Sequence, residues 1–136
     1  MFRIHTVDGG HIPAFEYLPA SAIKPQIGMA LTQSGGNLAA ATGSTKPTYI
    51  SMCEKSGTLT AGDLIPVIRV SPDIIFAAES SAAMTSIKKG DKVTIDGDGL
   101  KVTATTQDAS KNAIGVAEVV GMDGTGQGDI VYVRFS

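Results

Sequence analysis

Three times in this chain a Gly-Asp pair stands immediately ahead of a run of β-formers. Gly62-Asp63 opens onto Leu64–Val70, Gly90-Asp91 onto Lys92–Ile95, and Gly128-Asp129 onto Ile130–Phe135. Glycine tolerates positive φ, and an aspartate carboxylate can accept from backbone amides two residues on. Each pair is therefore expected to form a tight turn that ends where a strand begins. Their spacing is too irregular for a solenoid, so they read as one turn solution reused inside a single fold. Gly62, Asp63, Gly90, Asp91, Gly128 and Asp129 are assigned to turns and not to chemistry.

The rest of the chain agrees with that reading. Gly35-Gly36 separates the β-prone segments 27–32 and 38–42, and Asp96-Gly97-Asp98-Gly99 separates Lys92–Ile95 from Leu100–Thr105. Both are hairpin signals. Leu100, Val102 and Ala104 alternate with Lys101, Thr103 and Thr105, the period of a half-buried strand. Further strands are expected over 48–53, 74–79 and 114–120. Residues 107–113 are polar and read as a loop, and 80–89 as either a short helical turn or a loop. No segment carries a helical stripe, and the short connections leave no room for crossover helices. The expectation is an all-β fold: a small antiparallel β-barrel or sandwich with little helix, over residues 25–136. Gly9-Gly10, Pro13 and Pro19 interrupt residues 1–24, which are expected to form an extended arm ordered against another surface.

Composition removes several functions. A chain of 136 residues can bury a core without staples, and a formal charge of −2 with scattered Lys and Arg offers no field for nucleic acid. The single Cys53 excludes an internal disulfide and fits assembly in a reducing cytoplasm. With no Trp and 5% aromatics, stacking platforms for bases or sugars are poorly served. The first residues, Met1–Asp8, lack the apolar stretch and small-residue cleavage site expected of a signal peptide. Residues 25–45 hold no charge, but their Gly, Ser, Thr, Gln and Asn content does not suit a membrane span. Two readings of that stretch stay open: cover by a partner, or packing of small residues within the fold.

Candidate chemistry is thin. Asp96-Gly97-Asp98-Gly99 resembles the start of a calcium loop, but Gln107 stands where a bidentate Glu is needed. The Gly121–Gly128 run lacks the spacing and the following helix of a phosphate cradle. His5 and His11 lie in a Gly-rich segment with no preorganised metal geometry, and no nucleophile elbow or Cys/His pairing is present. No catalytic, metal or cofactor site is assigned, and the chain is expected not to be an enzyme.

The order of these segments resembles the small head decoration proteins of tailed bacteriophages. The likeness rests on Ile27-Gly28-Met29-Ala30-Leu31, Gly35-Gly36-Asn37-Leu38, Lys46-Pro47-Thr48-Tyr49-Ile50 and Ala61-Gly62-Asp63 with Pro66-Val67. It continues through Gly90-Asp91-Lys92-Val93-Thr94, Gly115-Val116-Ala117-Glu118 and Val131–Phe135. The resemblance implies a structural virion protein that docks on the capsid exterior after assembly in the bacterial host cytoplasm. Its partner would be the major capsid protein, whose lattice it stabilises, with a homotrimer favoured. Phe2, Ile4, Ile12, Phe15 and Tyr17, the apolar residues of the arm, are the expected capsid contacts. The competing classes are a trimeric small β-barrel hydrolase, with Asp96 or Asp98 activating water, and a host-surface or carbohydrate-binding spike.

Overall fold

The structure, a computed structural model, describes residues 1–105 and 115–135. The loop assigned to 107–113 lies outside the described residues. Eleven strands run in chain order: β1 Arg3–Val7, β2 Glu16–Pro19, β3 Ala30–Ser34, β4 Asn37–Ala40, β5 Tyr49–Ser51, β6 Leu64–Arg69, β7 Ile74–Glu79, β8 Lys92–Asp96, β9 Lys101–Ala104, β10 Ala117–Met122 and β11 Ile130–Phe135. They form a six-stranded sheet, β1-β7-β11-β10-β8-β9, and a five-stranded sheet, β2-β6-β5-β3-β4. Every ladder is antiparallel. The two sheets pack as a sandwich and neither closes into a barrel. Each curls until distant strands touch at one bridge, Ala20 to Leu38 in the smaller sheet and Ser80 to Val102 in the larger. Segment 80–89 is not helical: it makes a turn in which the Ile87 amide donates to the Met84 carbonyl, and both side chains are buried.

The three Gly-Asp units share one geometry. In each, the Asp amide donates to the carbonyl three residues back, Thr60, Lys88 or Gly126, at 3.0, 3.0 and 3.2 Å. The intervening Gly62, Gly90 and Gly128 have φ of +97°, +96° and +85°, the positive φ that a type II turn needs at its third position. The Asp carboxylate does not reach forward two residues, as the sequence suggested. It folds back to accept the amide of the turn's first residue, at 3.2, 2.8 and 2.9 Å. On the neighbouring strand a single residue faces the pair. Ala20, Val119 and Ser80 each accept from the Gly amide and donate to the Asp carbonyl. Two residues opposite one, the first a left-handed glycine, is a G1 bulge. The turn and the start of the ladder are thus one hydrogen-bonded unit, used three times.

Burial explains part of the uncharged stretch. In the smaller sheet Ala30, Ile50 and Ile68 face the larger sheet, while Leu31, Leu38, Tyr49, Ile65 and Val67 form a second cluster on the opposite face. β3 and β5 are covered on both sides, so charge has no place there. Burial thus accounts for Gly28–Leu31 with Leu38 and Ala41, while Gln33–Gly36 and Thr42–Thr45 are uncharged and exposed.

The N-terminal segment departs most from expectation. Residues 1–24 are not a separate arm: β1 is the edge partner of β7 in one sheet, and β2 that of β6 in the other. Phe2 is 1% exposed. Its ring lies 6.5 Å from Phe76 edge-on and 5.4 Å from Phe135, at the centre of the core. The physical reason is apolar area: an aromatic ring gains more in an intersheet core than on a surface. Gly28 admits this anchor, accepting from the Phe2 amide at 2.9 Å. A Cβ there would stand 2.9 Å from the Phe2 backbone.

Candidate functional site

Besides Met1 and Ile27, the large exposed apolar side chains of the described residues belong to β2, the segment leading into it and the start of β6. Alternation along β2 turns Glu16 and Leu18 toward one face and Tyr17 and Pro19 toward the other. The register sets Tyr17 opposite Pro66 and Pro19 opposite Leu64. Tyr17 is 65% exposed and Leu64 62%, with Pro19 and Pro66 half-buried between them. Two residues beyond Pro66, Ile68 is fully buried in the intersheet core. The ledge is therefore the part of the smaller sheet's inner face that the larger sheet does not reach. Phe15, just before β2, is 54% exposed, and Ile12, in the connection from β1, is 70% exposed.

These positions divide the five residues assigned to capsid contact. Ile12, Phe15 and Tyr17 are at the surface. Phe2 is a core residue, and Ile4 is half-buried against the same core cluster; those two assignments are withdrawn, because the core has taken the side chains. Leu64 was missed. Its signal lay in the alternation of β6, where Ile65 and Val67 enter the second cluster and Leu64 shares the face of Ile68, at the end of the strand that the larger sheet does not cover.

Polar contacts tie β2 to β6 on the face opposite the ledge. Arg69 forks onto Glu16, with Nε to Oε2 at 3.2 Å and Nη2 to Oε1 at 3.0 Å. It also lies over the Tyr49 ring at 5.3 Å. The hydrogen bond from Arg69 holds the Glu16 carboxyl below its ordinary range. β2 stands at the end of its sheet, and Pro19 removes a donor from that edge, which discourages open-ended strand addition. The ledge thus offers side chains more than backbone.

The carboxylates considered for chemistry sit elsewhere. Asp96 accepts from the Gly97 amide at 2.8 Å in the β8–β9 hairpin. It is held below the usual carboxylate range by the Ser81 hydroxyl first and that amide second. The His5 ring lies tilted against Tyr132, with 4.3 Å between the ring centres. Among the described residues no three His, Cys, Asp or Glu side chains gather where a metal could be held. Cys53 is half-buried beside the second cluster.

No family model and no curated protein matches the chain. Among solved structures, the fold is similar to the N base of the head fiber gp8.5 in bacteriophage phi29. The identity is 20%, over 90% of this chain and 95% of that one, with a TM-score of 0.51.

Proposed function

We propose that this chain is a structural virion protein that binds the outer surface of a phage capsid and stabilises the lattice of its major capsid subunits. The observation that carries the reading is the fold, which it shares over nearly its whole length with the base of a phage head fiber. The ledge supplies the contact: Phe15, Tyr17 and Leu64, with Ile12 in the adjoining connection. Exposed Phe and Tyr are residue types enriched at interfaces, and Tyr is a frequent hot-spot residue. Binding only the assembled lattice would stabilise it by mass action. A homotrimer would add the contacts of three copies on a repeating surface.

Cosedimentation with empty phage heads tests the reading. The wild-type chain should bind saturably. A variant carrying Phe15→Ser, Tyr17→Ser and Leu64→Ser should fold and lose binding. Equal binding by the variant would move the contact off the ledge, and no binding by the wild type would sink the capsid role. Light scattering should give three times the chain mass, and a monomer would remove the trimer from the proposal.

A further inference from the structure

The outer face of the larger sheet carries a trough of about 550 Å³ that the proposed capsid role does not use. It crosses four strands, from His5 on β1 over Ile75 on β7 and Tyr132 and Arg134 on β11 to Glu118 and Val120 on β10, and ends at Lys89. Two irregularities shape it. The β1–β7 register shifts between Ile4 and Thr6, and the β10–β11 register between Val119 and Gly121. The residues left over, His5 and Val120, both line the trough. Bulges re-aim side chains and are enriched beside functional sites.

The polar lining is unbalanced. The Arg134 Nε is shielded from solvent without an acceptor, and a buried donor in that state calls for an explanation. Neither the Arg134 nor the Lys89 side chain has a hydrogen bond or ion pair among the described residues. Glu118 faces Arg134 in register on one side and Lys92 on the other. Tyr132 is fixed through its hydroxyl, which donates to Asp123 at 2.8 Å, and His5 covers its ring. Ile75 and Val120 add half-buried apolar walls.

We infer that this trough binds a small organic carboxylate, its anionic head between Arg134 and Lys89 and a flat or apolar body against Tyr132, Ile75 and Val120. The volume lies within the range of ligand clefts, about 300–1,000 Å³. The two terminal nitrogens of the Arg134 guanidinium, which unlike Nε are not shielded, present a donor fork that matches a carboxylate in geometry. Glu118 beside the site favours a singly charged head over a phosphate dianion, which it would repel more strongly.

The test uses the intact chain and three probes followed by NMR: benzoate, uncharged benzamide and inorganic phosphate. Benzoate should shift the amides of Ile75, Val120 and Tyr132 saturably in the millimolar range, with the other two at least about tenfold weaker. Arg134→Gln should weaken benzoate by about tenfold. Lys89→Gln, in an exposed turn position that leaves the fold intact, should weaken it severalfold. Benzamide binding as well as benzoate, phosphate binding as well as benzoate, unsaturable shifts, or benzoate binding unchanged in both variants would each overturn the assignment.

Discussion

At the scale of single residues, two phenylalanines that look alike in sequence have opposite roles. Phe2→Ala removes a ring from the Phe2–Phe76–Phe135 group and should cost about 3–5 kcal/mol. Phe15→Ala acts on an exposed ring and should change stability by about 0.5 kcal/mol or less. Urea midpoints of the two variants read this difference directly. Gly28→Ala should also destabilise, since its φ is +79° and the new Cβ would press on the Phe2 backbone. The Glu16–Arg69 pair predicts an acid response. Because the Glu16 pKa is lowered in the folded chain, the pair's contribution is complete above the ordinary glutamate range and is lost as pH falls through and below it. Glu16→Gln should therefore make stability fall less steeply on acidification, measured as the urea midpoint against pH. Sequence separated Phe2 from Phe15 poorly because both stand in the stretch that Gly9-Gly10, Pro13 and Pro19 interrupt. What distinguishes them is a partner strand far along the chain.

At the scale of elements, the turn–bulge unit makes the strongest claim. Gly90→Ala would force a side chain into φ of +96°, at about 1–2 kcal/mol, and should accelerate amide exchange in β8 and β10 together. Asp91→Ala should loosen the same turn by removing the acceptor of the Lys88 amide, and Asp91→Asn, which keeps an oxygen, should restore most of it. These turns were legible because their chemistry is local: glycine and aspartate act on residues within the same four. The hairpins at Gly35-Gly36 and Asp96–Gly99 were legible for the same reason. β1 and β2 were not. Their ladders pair with β7 and β6, and no short-range pattern encodes that pairing. Removing residues 1–8 should accordingly leave a chain that does not fold cooperatively, as read by circular dichroism and thermal melting.

At the scale of the whole molecule, the smaller sheet belongs to both hydrophobic clusters, with adjacent residues of β3, β5 and β6 facing opposite ways. Neither cluster can melt without stripping a face from the strands they share. A single unfolding transition should therefore appear, with coincident curves from circular dichroism and from tyrosine fluorescence. The ledge was partly legible, through its aromatics. The trough was not, since its residues come one or two at a time from separate strands and gather only after the sheet is built and twice bulged. The aromatic group at the centre has a consequence in time. Positions 2, 76 and 135 must all be in place before that core can close. Such distant closures are slow. During synthesis, β1 must wait unpaired for β7, and the core must wait for β11. This chain's vulnerable period is the interval before its far strand arrives, when an exposed β7 edge is open to any other strand that reaches it first.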